Sequence, residues 1–312
     1  MEKKQILFNK FYKSFNLISL FLILISIILL IFKGLNFGVD FKGGTLIELR
    51  VNDSNVLISD VRKSFSNMNL GDVSVKKFGN DKDYVIKIEK KIKTDPNFID
   101  NIEKKLSSSI GENFKIRRVE NVGPMVSSEL LKSGIIAIGL SLAAMLFYIW
   151  IRFEWQFSLG AIAALFHDVI LTLGIFSLFS LEINLSIVAA VLTIVGYSMN
   201  DTVVIFDRVR ENLKKHADIK IFDLTNISIN ETLSRTIITS ITTLLALTSI
   251  YFFGGQILKG FSLAMILGVV FGTYSSIYIA NPILVQLRVS KRTIIKDEEE
   301  KKLIKILCNY HC

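Results

Sequence analysis

Cysteine is almost absent from this 312-residue sequence: only Cys308 and Cys312 occur, both within the last five positions. That excludes a disulfide framework for the remainder. The run Cys308-Asn-Tyr-His-Cys312 has too few ligands for a closed four-coordinate metal site, so no metal is expected. The polar stretch 38–122 lacks a nucleophile paired with a base, a phosphate-cradling loop and a ligand cluster, and no cofactor motif occurs anywhere. An enzyme is therefore not expected. No small-residue cleavage site precedes Gly34, so the first apolar run reads as an uncleaved anchor and not a signal peptide. The net charge of +9, from 37 Lys and Arg against 28 Asp and Glu, does not point to nucleic acid, because the basic residues lie largely beside apolar runs. In that position they read as orientation signals.

What the chain has in abundance is apolar length. Hydrophobic residues make up 51% of it, and its mean hydropathy is +0.47. Runs at 15–32, 134–151, 157–179, 183–206, 236–253 and 261–284 are each long enough to span a bilayer. Between the first two, strand alternation and helical periodicity follow in the order β-α-β-β-α-β: a strand at 45–51, a helix at 56–68, strands at 72–78 and 83–89, a helix begun by Thr94-Asp95-Pro96, and a strand from 114. The expected fold is an α-helical polytopic membrane protein with six transmembrane helices and one α+β ferredoxin-like (βαββαβ) extracytoplasmic domain between helices 1 and 2. The boundaries read 1–14 cytoplasmic, 15–33 first span, 34–130 outer domain, 131–288 spans two to six with a cytoplasmic loop near 207–234, and 289–312 tail. Basic residues at Arg152, in 208–220 and in 288–305 place both termini in the cytoplasm. The loop interleaves Ile219, Ile221, Phe222, Leu224 and Ile227 with polar residues, which suits either a surface amphipathic helix or a solvated loop.

Within the fourth apolar run stands Asp201, one to two turns before the charged residues Asp207 and Arg208. An ionisable group there is expensive and marks function by default. Thr193, Tyr197 and Ser198 share its helical face by spacing. Arg235 opens the fifth run and carries Thr239, Thr242 and Thr243 at one-turn and two-turn spacing. An antiparallel hairpin about 217–218 would set Asp201 and Arg235 at similar depth, as a proton-responsive pair. Burial and a nearby guanidinium act in opposite senses on a carboxyl's proton affinity, so small movements switch its charge. The plainer alternative has Arg235 snorkelling to the interface and Asp201 hydrogen-bonding a neighbouring helix.

His167 and Asp168 form a second intramembrane site near the middle of the third run, either a proton relay or a hydrogen-bonded support for helix packing, with Tyr197, Ser198, Thr239 and Thr242 as further candidates for such roles. Successive residues project about 100° apart on a helix, so these two side chains are not expected to share one direction. In the last run, Ala264, Gly268, Gly272, Ser276 and Ala280 recur at every fourth position, a groove for a close helix partner in this chain or another.

The runs Val195-Gly-Tyr-Ser-Met-Asn-Asp201-Thr-Val-Val-Ile-Phe-Asp-Arg-Val-Arg-Glu-Asn212 and Glu231-Thr-Leu-Ser-Arg235-Thr-Ile-Ile-Thr-Ser-Ile-Thr-Thr243, with Gly38-Val-Asp-Phe-Lys-Gly-Gly-Thr45, resemble the SecF family of the bacterial SecD/SecF protein-export complex. The resemblance extends over about 15–288. It implies an inner-membrane subunit that uses the proton-motive force with SecD to assist export of preproteins through the SecYEG channel. It also implies kinship with resistance-nodulation-division exporters, whose twelve spans make six a half-transporter. A drug- or lipid-exporting half and a non-transporting scaffold are the alternative functions.

Overall fold

In a computed structural model the structure describes residues 5–52, 56–68, 70–78, 80–88, 98–111, 113–216, 218–291 and 293. The Thr94-Asp95-Pro96 helix start and the cysteine-bearing tail lie outside the described residues. In chain order the elements are α1 (Tyr12–Phe32), β1 (Asn36–Phe37), α2 (Val39–Lys42), β2 (Gly44–Val51), α3 (Ile58–Ser66), β3 (Val73–Phe78), β4 (Asn80–Ile88), α4 (Phe98–Ile110) and β5 (Phe114–Val122). There follow α5 (Pro124–Arg152), α6 (Trp155–Leu178), β6 (Glu182–Ile183), α7 (Leu185–Lys215), α8 (Ile221–Phe253), α9 (Gln256–Ser275) and α10 (Asn281–Gln286), the last two joined by a π turn at Ser276–Ala280. They fall into two compact units, one built from 1–35, 137–181 and 186–312, the other from 36–136 and 182–185.

The first unit is helical. Among the described residues, six helices are long and apolar enough to cross a membrane: Phe8–Phe32, Val126–Arg152, Trp155–Leu178, Leu185–Lys215, Ile221–Phe253 and Leu258–Gln286. Half or more of the apolar window of the third, fourth and sixth is buried inside the chain, against 11–17% for the other three. Spans three, four and six therefore form the centre. Lipid offers no hydrophobic reward for helix contact, so close packing by small residues takes that role. A Cβ on Gly174 of α6 would meet Ser26 of α1 at 2.3 Å, and one on Gly272 of α9 would meet the Ser198 backbone of α7 at 3.1 Å. The small-residue groove of the last span is thus occupied by a helix of the same chain. Phe157 packs edge-on against Phe206 at 5.2 Å between ring centroids, and both are fully buried.

Two helices run further than expected. The fourth and fifth spans read as ending at 206 and beginning at 236, with a loop between. Instead α7 continues to Lys215 and α8 starts at Ile221. Polar pairing between the two helices explains this: Arg208 Nε donates to Glu231 Oε2 at 2.7 Å, and Asn212 Nδ2 donates to Ser228 Oγ at 3.0 Å and to Glu231 Oε2 at 2.7 Å. Along α7, Glu211 also pairs with Arg208 three residues back and Lys215 four residues on.

The second unit holds a four-stranded antiparallel sheet in the order β3-β4-β2-β5. Alternation in β2 sends Ile47, Leu49 and Val51 into a core with Ile86 and Ile88 of β4, where α3 contributes Val61 and Phe65 and α4 contributes Ile102 and Leu106. Each such burial is worth about 1.5–3 kcal/mol. The other face carries charge ladders: Arg50 donates to both Asp83 oxygens at 2.6 and 2.7 Å across β2 and β4. This hydrogen bond from Arg50 holds the Asp83 carboxyl below the usual carboxylate range, while burial pushes Glu48 up. Gly43 and Gly44, at φ 79° and 128°, supply the left-handed backbone that turns α2 into β2. A separate two-residue parallel pair joins β1 to β6, Asn36 with Glu182 and Phe37 with Ile183.

Candidate functional site

Asp201 lies on the buried side of α7, 4% exposed. Its Oδ2 is sealed from solvent and has no hydrogen-bond partner. Arg235 on α8 is exposed, and among the described residues it makes no ion pair with Asp201 within 4.0 Å. The polar stripe around them divides. Tyr197 Oη donates across to the Thr239 carbonyl at 3.2 Å. Thr239 and Thr242, by contrast, turn their hydroxyls back to carbonyls of their own helix, at Arg235 and Ile238. Threonine in a helix satisfies itself this way, so the stripe on α8 does not by itself weld two helices together.

A second polar cluster centres on Asp168. This residue and His167 are 0% and 1% exposed. Asp168 Oδ2 accepts from Ser198 Oγ of α7 at 2.5 Å and from Ser275 Oγ of α9 at 2.8 Å. Its Oδ1 is 2.9 Å from His167 Nδ1. The neighbouring side chains thus come within hydrogen-bond reach despite the 100° offset of their positions. His167 also stacks on Tyr274 at 5.8 Å, and its Nε2 is buried without a partner. Tyr274 Oη donates to the Phe15 carbonyl at 2.9 Å and shares a hydrogen bond of 2.7 Å with Ser19. Beside it, Thr202 and Ser276 share one of 2.7 Å. Four helices, α1, α6, α7 and α9, thus meet on one polar network.

Sequence reasoning placed Ser198 with Asp201; the structure gives its hydroxyl to Asp168. Ser275 and Tyr274 were not found from sequence at all. The nearest signal was the small-residue stripe that runs through Ser276, one position away. Among the described residues no group of three or more His, Cys, Asp or Glu side chains is arranged to hold a metal ion.

Residues 102–290 match the family described as protein export membrane protein SecD/SecF, C-terminal. Residues 28–54, which include Gly43 and Gly44, match the SecD/SecF GG motif. The chain belongs to the SecF family. Curated proteins named protein translocase subunit SecF agree with it along nearly their whole length. That of Cereibacter sphaeroides is 43% identical over 289 residues, 90% of this chain and 89% of the relative. A Rickettsia bellii relative is 45% identical over 278 residues, 89% of this chain and 91% of its own. The Vibrio alginolyticus protein is 40% identical over 301 residues, 96% and 95% of the two chains. Among solved structures, SecDF from Thermus thermophilus, titled a translocon-associated membrane protein, superposes with a TM-score of 0.80 at 32% identity over 91% of this chain. SecDF in a super-membrane-facing form gives 0.68 at 31% identity over 97%. This SecF-family chain spans only 39% and 41% of those two SecDF chains.

Proposed function

We propose that this SecF-family chain is a proton-driven accessory subunit of protein export, in which Asp201 binds and releases the coupling proton and Arg235 biases that exchange. The single observation that carries the reading is the buried, unpartnered oxygen of Asp201 inside a membrane span. A buried polar atom without a partner is costly and is retained for a reason. The energy scale is sufficient, since each charge moved through the membrane yields about 2.3 kcal/mol per 100 mV.

SecD is the natural partner. Asn200 and Arg235 are exposed within α7 and α8, and a polar or charged side chain facing lipid is expensive unless other spans cover it. A second six-span half would supply that cover and complete a twelve-span transporter of the resistance-nodulation-division type. His167, Asp168 and Ser198 serve in this scheme as the packing support that keeps α7 in register, with Tyr197, Thr239 and Thr242 along the α7–α8 side. We read the sheet unit as ferredoxin-like and extracytoplasmic, with both termini in the cytoplasm, and as the part that meets exported preprotein beside the SecYEG channel. Its two edge strands, β3 and β5, offer unpaired backbone for an extended chain. Export of drugs or lipids is less well supported, because a substrate cleft would need a larger outer domain than 36–136.

The test is export of a precursor by inner-membrane vesicles carrying Asp201→Asn. The amide keeps size and hydrogen bonding but fixes the group neutral, so gradient-driven export should fall at least tenfold with the complex intact. Retention of the wild-type rate would leave the scaffold reading. Arg235→Lys should give a partial loss if charge alone matters, and a severe one if the planar fork does.

A further inference from the structure

The start of α8 carries a row of residues that meets the N-terminal segment of the same helical unit. Phe222, Asn226 and Asn230 recur at every fourth position, so they share one helical face. Asn230 treats Ile6 as a strand partner would: its Oδ1 accepts the Ile6 N–H at 2.9 Å, and its Nδ2 donates to the Ile6 carbonyl at 2.8 Å. Asn226, 3% exposed, accepts the Phe8 N–H on Oδ1 at 2.8 Å, where a single 3-10 turn begins at Phe8–Phe11. Asn9 Nδ2 in return donates to the Phe222 carbonyl at 3.4 Å. Tyr12 closes the contact, donating from Oη to Thr225 Oγ1 at 3.3 Å and meeting the Phe222 ring edge-on at 6.1 Å between centroids. The two α8 amides thus hold the segment by its backbone and not by its side chains.

α7 holds the same stretch of α8 through Ser228 and Glu231, which helical spacing puts on the side opposite Asn226 and Asn230. Five of the eight buried residues of α8 lie within 224–229. Further along, α8 is tied again, by Tyr197 Oη on the Thr239 carbonyl at 3.2 Å and by Ser240 with Thr273 of α9 at 2.7 Å. In between, over 230–238, Thr236 alone is buried. Arg235 stands in that stretch, five residues (235 − 230) past Asn230, or about 7.5 Å along the helix axis. Its immediate surroundings hold it weakly, so the ties at either end set its place. We infer that residues 6–12 are a clamp on the base of α8, with Asn226 and Asn230 as positioning residues for Arg235. Without the clamp the base is held by α7 from one side only. The inference rests on the proton reading above for what Arg235 does, and on the contacts of the clamp for where Arg235 sits.

The experiment uses the full chain with SecD in vesicles, with Cys308 and Cys312 replaced by Ser so that introduced cysteines alone carry spin labels. Labels at Ile238 of α8 and Leu159 of α6, both exposed, report the position of α8 by pulsed EPR, while labels at Leu159 and Val270 of α9 serve as the reference pair. Asn226→Ala with Asn230→Ala should broaden the Ile238–Leu159 distance distribution about twofold, leave the reference pair unchanged, and lower proton flux about fivefold or more. Asn226 is buried and its alanine variant risks misfolding, so a second arm acts on the other partner. Phe8→Pro removes the donated N–H, whereas Phe8→Ala removes the ring and keeps it; the proline variant should broaden the distribution and lower flux well beyond the alanine one. An unchanged Ile238–Leu159 distribution in both arms overturns the clamp. A broadened distribution with wild-type flux overturns its service to Arg235. If wild type itself moves no protons, the proton reading fails, and the clamp stands or falls on the distances alone.

Discussion

Asp168 on α6 and Asp201 on α7 are both almost sealed from solvent, yet their surroundings are opposite in kind. Asp168 receives two serine hydroxyls from two other helices and an imidazole from its own, so its oxygens are saturated. Asp201 keeps one buried oxygen with no hydrogen bond. A saturated carboxylate is held by every helix that donates to it and resists change. One with an open oxygen has little to lose when its protonation changes. Burial alone therefore does not separate the two carboxyls; the number of their donors does.

The largest effect that separates the two is structural. Asp168→Ala strands Ser198, Ser275 and His167 at once, each interhelical hydrogen bond in a membrane being worth about 1–2 kcal/mol at the upper end. The expected outcome is a marked fall in folded yield and thermal midpoint in detergent, with Asp168→Asn intermediate. Asp201→Asn should leave both near wild type. If the two asparagine variants were equally stable and equally inactive, the contrast would collapse.

A smaller effect comes from Gly272, whose site on α9 faces the Ser198 backbone at 3.1 Å. Gly272→Leu should force α7 from α9 and lengthen the Ser198–Asp168 hydrogen bond, so it should mimic a mild Asp168 variant. Overpacking of this kind costs typically about 1–3 kcal/mol. A thermal midpoint equal to wild type would remove that contact from the account.

The smallest effect lies in the sheet unit and is a matter of pH. The Asp83 carboxyl is lowered in the folded state by its hydrogen bond from Arg50. Its contribution is thus complete above the unfolded carboxylate value of about 3.9 and is lost as pH falls through the lower folded value. Amide protection factors in β2 and β4, which remove the intrinsic pH dependence of exchange, should fall below about pH 4, and Asp83→Asn should flatten that dependence. Glu48, pushed up by burial, works in the opposite sense, which is why the comparison is made with Asp83→Asn and not with the bare pH profile.

Much of this arrangement is legible in the sequence, for identifiable reasons. Six spans stand out because apolar runs of that length are rare outside membranes, and Asp201 stands out because a charge inside such a run is conspicuous. The ends of α7 and α8 are not legible: Arg208, Asn212 and Glu231 look like loop residues until their pairing across two helices is seen. The threonines of α8 suggest an interhelical face, but hydroxyl hydrogen bonds to the same helix leave no trace in spacing. The Asp168 cluster is hidden for another reason. Its serine donors lie 30 and 107 positions away, and serine in an apolar helix looks like any small residue.

The central claim, that the open carboxyl of Asp201 and not the saturated one of Asp168 carries the proton, is tested most directly by proton flux. Vesicles containing this chain with SecD would be given a fixed gradient, and flux compared among wild type, Asp201→Asn and correctly assembled Asp168→Asn. The account predicts at least a tenfold loss in Asp201→Asn and flux within about threefold of wild type in Asp168→Asn. Equal flux in wild type and Asp201→Asn, or a loss confined to Asp168→Asn, would contradict it.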